Sequence, residues 1–426
     1  MFYRFIIILF LASFLCPINK VFAGFSGMHG FVETRYAVKL SDDKTKHDSY
    51  SLAEQRLQVK GDYFFDFDNF LSDWGMVFNF KSDFVLDEYF GGKTGLQLRE
   101  ANFSFTPVDY LDVKAGRQVL TWGTGEYLFI NDMFPKDYVS FFAGREDEYL
   151  KQPSDAVKLS FYNDIVNLDI VAIPFFEPNT HAEGDRLSFF DSFKQGIAGV
   201  DSDRALIYPS NDISNTEYAL RASRNFGSNE AAFYFFRGFD KSPKSYKDEQ
   251  ARELYYERLD VYGFSLRGPF MSGIANVEAG YLNSREDPCG SNRLIQNSMV
   301  KVMAGYNKDL AKDLNTGFQI YYERILDYAD YIDNLASWDY FWDEHRYLLT
   351  WRITKLLLNQ NLKLTMFTFY SFTDKDAYFR PLLTYAFNDN WEFTIGANIP
   401  VGEDYITEFG QMEKDKNVFV GVRFNF

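Results

Sequence analysis

The sequence predicts an all-β fold: a closed transmembrane antiparallel barrel of about 18 strands (16–18), with long extracellular loops and short periplasmic turns. Three observations predict it. Apolar and polar residues alternate over runs of roughly ten residues from end to end, the period of a strand with one face in lipid. The connections between these runs alternate in length. Aromatic residues (46 Phe, 29 Tyr and 6 Trp, 19% of the chain) are abundant although the mean hydropathy is −0.29. A membrane barrel places such residues in an outward band and two interfacial girdles.

The first element is a leader over residues 1–23. Arg4 supplies a positive start, Phe5 to Cys16 an apolar stretch, and Val21-Phe22-Ala23 a small-residue cleavage site. That pattern is a cleaved secretory signal peptide. Cys16 precedes Pro17 and lacks the small residues of a lipidation site before it, which rejects a lipoprotein. Residues 24–426 then read as one barrel domain, for the outer membrane of a Gram-negative bacterium.

The strands follow in order. Val32, Thr34, Tyr36, Val38 and Leu40 face one way and Glu33, Arg35 and Lys39 the other. Leu57, Val59, Gly61 and Tyr63 stand opposite Gln58, Lys60 and Asp62. Met76, Phe78, Phe80, Phe84 and Leu86 stand opposite Asn79, Lys81 and Asp83. Further strands are predicted near 96–106, 111–121, 156–162, 166–173, 216–226, 230–239, 256–267, 273–284, 297–307, 315–326, 344–356, 361–372, 377–387, 390–399 and 416–426.

Odd connections are the longer set: 41–50, 87–95, 122–154, 174–214, 240–254, 285–296, 327–343 and 400–415. Even ones are mostly brief, as at Pro107-Val108-Asp109, Asn163-Asp164-Ile165 and Asn388-Asp389. Phe65 to Asp73 is long for a turn, and Thr373 to Asp376 short for an outer loop. In the last strand Val418, Val420, Val422, Phe424 and Phe426 share a face. A chain ending this way resembles the strand by which barrels are handed to the barrel-assembly machinery, so Phe424 and Phe426 read as a membrane-insertion signal.

Composition excludes several functions. Without the leader the 44 basic residues lose Arg4 and Lys20, leaving 42 against 60 acidic, a net of −18. That argues against nucleic acid, which needs basic patches. Cys289 is then the only cysteine, which excludes an internal disulfide and any CxxC site. His29, His47, His181 and His345 share no metal-ligand spacing, and no serine sits in a nucleophile setting. The expectation is no enzyme, no cofactor and no metal. The acidic run Glu146-Asp147-Glu148 reads as a solvated loop face more readily than as a calcium site.

Lipid takes the apolar parity of an outer-membrane strand and the lumen takes the polar one. The inward parity carries more cations than anions, with Arg346, Arg352 and Arg423 the cleanest assignments; either these charges pair across strands and only keep the lumen wet, or the excess gives a weak anion preference. The loop at 122–154 is predicted to fold into the lumen as a constriction. Phe129, Met133, Phe134, Tyr138, Phe141 and Phe142 pack it on the wall, while Asp132, Asp137, Arg145, Glu146 and Asp147 face the pore. Arg117 shares the parity of Leu111, Val113 and Ala115. A bulge at Gly116 is expected to turn it inward, toward Asp132, and to leave Trp122 at the outer interface. The second long loop, 174–214, is the other candidate plug.

Gly116-Arg117-Gln118, Trp122-Gly123, Asp132 and Pro135 resemble the Arg-Gln…Trp-Gly signature of a large family of uncharacterised Gram-negative outer-membrane proteins, related in style to alginate-export porins. Weaker likeness continues in Gly144-Arg145-Glu146-Asp147 and Pro153-Ser154-Asp155. The resemblance implies an outer-membrane channel. The expected function is therefore a porin for small hydrophilic, including anionic, solutes. Its expected surroundings are outer-membrane lipid and lipopolysaccharide, and a homo-oligomer is allowed. A structural or adhesive barrel, and the barrel component of an export or electron-transfer complex, are the alternatives.

Overall fold

The computed structural model describes residues 26–47, 49–67, 71–250, 252–336 and 339–426, so the expected leader lies outside the described residues. In chain order the strands are β1 Ser26–Lys39, β2 Tyr50–Phe64, β3 Val77–Asp87, β4 Lys93–Val108, β5 Leu111–Val119, β6 Pro153–Phe161, β7 Asn167–Ile173, β8 Phe189–Asp191, β9 Gly196–Ala198, β10 Ala205–Ile207, β11 Glu217–Phe226, β12 Asn229–Phe239, β13 Ser245–Asp248, β14 Glu253–Tyr255, β15 Arg258–Phe270, β16 Gly273–Ser284, β17 Met299–Ala311, β18 Leu314–Ile325, β19 His345–Leu357, β20 Leu362–Ser371, β21 Ala377–Ala386, β22 Trp391–Val401 and β23 Asn417–Asn425. Five short ones (β8, β9, β10, β13 and β14) belong to loops. The other 18 form one antiparallel sheet in which each strand pairs with its sequence neighbours.

The sheet closes where β1 meets β23, in register from Phe31↔Asn425 to Lys39↔Asn417. Closure leaves the long apolar terminal strand with no free edge. Phe426 extends the seam beyond the strand: its N–H donates to Gly30 O (3.0 Å) and its own carbonyl accepts from Gly30 N (2.9 Å). No helix among the described residues is long and apolar enough to cross a membrane.

Aromatic pairs ring the outer surface at two levels. Near the short turns Trp391 packs on Phe424 (5.0 Å between centroids) and Trp74 on Phe105 (5.4 Å). Near the long loops Tyr322 packs on Tyr347 (5.2 Å) and Tyr370 on Phe372 (5.0 Å). These are the two girdles. The apolar core lies inside the barrel, where wall residues Met303, Tyr321, Leu348, Phe367, Phe369 and Tyr378 pack on Ile130, Phe141, Phe142 and Leu150 of the third outer loop.

Candidate functional site: the loop inside the barrel

The chain leaves the wall after Val119 and returns at Pro153. Between them it carries local structure of its own. Residues Tyr138–Ala143 form a helical turn, and Asp147–Leu150 a 3-10 turn. Asp137 starts the helical turn, its carboxylate accepting from Ser140 N (2.7 Å). Gly144 ends it at φ 90°, a conformation that favours glycine. Asp137 is thus occupied as a cap.

One end of the loop hangs on Glu278 of β16, which is fully buried. Its carboxylate accepts from Thr124 N (2.5 Å), Thr124 Oγ1 (2.9 Å), Asn131 N (3.0 Å) and Asn131 Nδ2 (3.1 Å). Gly123, at φ 82°, lies so close that a Cβ there would stand 2.7 Å from Glu278 Oε1. The Trp-Gly pair therefore has a physical reason: the backbone must approach a carboxylate on a distant strand. Gln118 of the Arg-Gln pair is buried too, donating to Ala156 O (3.0 Å).

The other end is held by wall cations. Glu146 lies 3.0 Å from Arg35 Nη2 and 2.7 Å from Arg423 Nη2. The same two guanidiniums hold Glu33, at 3.1 and 2.8 Å. Asp147 accepts from Arg380 (3.0 Å) and Glu148 from Lys81 (2.9 Å). Arg99 donates to the carbonyls of Glu148 (3.0 Å) and Lys151 (2.8 Å). Arg145 forks onto Glu54, which also faces Arg56 at 3.5 Å. Further along, Glu126 meets Arg352 at 2.5 Å. The loop thus bonds to inward residues of β1, β2, β3, β4, β16, β19, β21 and β23, crossing the interior.

Burial raises Glu146 to about 7, with the Glu33 charge adding to it against the pull of Arg423 and Arg35. Burial also raises Glu126, against Arg352. Burial lowers Lys136, whose ammonium donates to Asp132 Oδ1 (2.9 Å) and Phe134 O (2.7 Å).

Several sequence expectations need correction. The register of β5 with β6 runs without a shift from Leu111 to Val119, so no bulge turns Arg117 inward. Arg117 keeps the outward parity at the end of its strand. It pairs with Asp155 (3.2 Å) and Glu177 (2.8 Å), not with Asp132, which is held by Lys136 and by Thr121 Oγ1 (2.8 Å). These partners explain how the outward parity is tolerated: two carboxylates and the carbonyl of Leu98 (2.8 Å) satisfy the guanidinium. Trp122 turns in, not out, onto Phe134 and Tyr234 (5.1 and 6.1 Å). The acids of Glu146-Asp147-Glu148 are each paired with a wall cation, and no cluster fit for a metal ion occurs among the described residues.

Arg346, Arg352 and Arg423 all lie on the inward parity, each bonded to acids: Arg346 to Asp374 (2.6 Å) and Glu408 (2.7 Å), the others as above. Glu54, Arg56, Arg99 and Arg380 were missed. Glu54 and Arg56 continue the inward parity of Gln58, so extending that strand finds them, and Arg380 shares the inward parity of Tyr378 within the strand predicted at 377–387. Arg99 stands at a register irregularity of β4, which parity does not reach.

The second long loop closes over the outer rim. Arg186 donates to Ser51 O (2.6 Å), Ser188 to Asp415 (2.8 Å), and Phe190 packs on Tyr340 (5.2 Å). Beneath it lies a cavity of about 1010 Å³, floored by Tyr127, Phe129 and Phe142 of the inner loop and walled by Arg293 and Arg346.

No family model matches the chain, and no curated protein matches it in sequence. Solved barrels match it in shape. OccK11 (OpdR) of Pseudomonas aeruginosa superposes at TM-score 0.53 with 9% identity, over 94% of this chain and 95% of that one. OccAB4 of Acinetobacter baumannii does so at 0.56 and 10%, over 94% and 97%. OccAB3 of the same organism gives 0.55 and 9%, over 94% and 98%. At such identities the likeness is one of fold, a porin-like closed barrel.

Proposed function

We propose that this chain is an outer-membrane porin whose third outer loop narrows a water-filled path for small hydrophilic solutes. One observation carries the reading. The loop is clamped across the interior between Glu278 on one side and Arg35, Arg380 and Arg423 on the other. A barrel needing only a stable wall has no use for a fixed polar partition of this kind. Pore-narrowing belongs to Arg145, Glu146, Asp147 and Arg352, which bond the loop to the wall, and not to Arg117. The likeness to the Arg-Gln…Trp-Gly family supports the same reading.

The charge pairing supports only a weak anion preference. Arg352 and Arg423 are each matched by an acid and Lys363 acts on Glu126, while Lys60 on the inward parity has no ion-paired carboxylate among the described residues. The field of such a cation should act most at low salt, where screening is least.

Single-channel recording in planar bilayers tests the proposal. The purified barrel should conduct, and excising Asn131 to Glu148 should raise the conductance of molecules that still show heat-dependent gel mobility. A folded barrel with no conductance would favour a structural or adhesive role. Unchanged conductance in the deletion variant would move the narrowing to the loop at 174–214.

A further inference from the structure

The outer wall is not uniformly convex. An outward apolar groove of about 490 Å³ runs across β19 to β23, with Ile353, Leu364, Pro381 and Ile395 along it and Ala397 at its floor. Its cause lies in the sequence. The register of β21 with β22 holds from Phe379↔Ile399 to Leu382↔Gly396, but between them Arg380 and Pro381 pair only with β20, leaving the β22 side of the ladder open there. Proline has no N–H to give. The small Ala397 then leaves the wall thin between longer neighbours.

Lys355 stands at the end of the groove near the short turns. It shares the outward parity of Ile353 and Trp351, where a cation is costly unless it reaches an interface. Its ammonium donates to the carbonyl of Lys312 (3.2 Å), which brings the two lysines together at one rim. Neither has a carboxylate partner among the described residues. The nearest acid in the turn, Asp313, accepts instead from Gln360 (3.2 Å).

We propose that this groove holds one acyl chain of an anionic phospholipid, with its phosphate at Lys355 and Lys312. Charge complementarity chooses the occupant: an apolar trough that ends at the Lys355 ammonium, with Lys312 the residue beside it and no carboxylate ion-paired to either among the described residues, fits a chain joined to a phosphate. The volume suits one small-molecule ligand, within the roughly 300–1,000 Å³ of ordinary sites. The inference rests on the membrane reading above, with the short turns in the periplasm and the phospholipid leaflet on that side.

The test is native mass spectrometry of the full barrel, released from nanodiscs of phosphatidylglycerol or of phosphatidylcholine. The unaltered protein should carry one bound phosphatidylglycerol and retain it at least tenfold better than phosphatidylcholine. Ala397→Phe, which fills the floor, and the pair Lys312→Glu with Lys355→Glu should each lose that adduct. Equal retention of the two lipids overturns the proposal without needing any variant. Full retention by folded variants overturns it as well. A chain that does not insert into bilayers refutes the membrane reading instead, so the two failures are distinct.

Discussion

Glu146 of the inner loop lies 2.7 Å from Arg423 of the last strand. Arg423 in turn holds Glu33 of the first strand across the closing register. The loop is therefore fastened at the seam where the two ends of the sheet meet. Two carboxylates and two guanidiniums share one buried cluster: Glu33, Arg35, Glu146 and Arg423.

The cluster predicts a pH effect. Glu146 is raised from 4.5 to about 7, so the folded barrel favours its protonated form. Folding then gains nothing from this group below its ordinary value and is progressively disfavoured as pH rises from about 4.5 to 7. The charge in the lumen moves with it. Below about pH 7 Glu146 is neutral, and Glu33 alone faces Arg35 and Arg423. Reversal potentials in a salt gradient should show stronger anion preference at pH 6 than at pH 8. Glu146→Gln should hold the acid-side value at both. A pH shift of equal size in that variant would assign the effect to another group.

How much of this was legible in the sequence follows from the range of each interaction. Period-two alternation is local, so Val32 to Lys39 or Val418 to Phe426 could be assigned to strands and faces without knowing their neighbours. Strict parity places Arg117 outward, and no bulge is needed there, because Asp155 and Glu177 satisfy the guanidinium. Asp155 lies across the next strand and Glu177 beyond β7, so neither was visible from the local pattern. The loop's fastenings were hidden for the same reason. Glu126 and Arg352 are 226 residues apart, and nothing in either segment names the other.

Arg117 provides a contrast with the lumen arginines. Its side chain and that of Glu177 are about a quarter exposed. Exposed pairs of this sort contribute roughly 0–1 kcal/mol. Arg117→Ala should leave conductance and ion selectivity unchanged, with a small loss of thermal stability in detergent. Arg352→Ala, by contrast, removes the partner of Glu126 inside the barrel and should lower anion preference. A selectivity change in Arg117→Ala as large as that in Arg352→Ala would return Arg117 to the pore.

Phe426 should matter for assembly and not for conduction. Its backbone closes a reciprocal pair with Gly30, and its ring stands 3.1 Å from where a Gly30 Cβ would be. Phe426→Lys puts a charge on the outward face of the seam and should cut the amount of protein in the outer membrane severalfold. Barrels that do assemble should conduct normally. Unchanged outer-membrane levels, measured on heat-modifiability gels, would remove the terminal residue from the insertion signal.

The last prediction concerns the far anchor of the loop. Glu278 accepts four hydrogen bonds from Thr124 and Asn131 without any cation beside it among the described residues. It holds the loop through backbone N–H groups, which cannot turn away to find other partners. Glu278→Ala leaves the half-buried N–H of Thr124 and the buried N–H of Asn131 without their acceptor, at a cost of roughly 1–3 kcal/mol for the buried one. That end of the loop should then loosen, kept near the wall only by Glu126 on Arg352 and by Asn276 on the Thr124 carbonyl, while the clamp at Arg35, Arg380 and Arg423 keeps the other end in place. The expected record is a higher and noisier single-channel conductance with an assembled barrel. Glu278→Gln keeps one acceptor oxygen and should fall between the two. If Glu278→Ala assembles and conducts as quietly as the unaltered protein, the loop does not depend on this carboxylate, and the wall cations alone hold it across the pore.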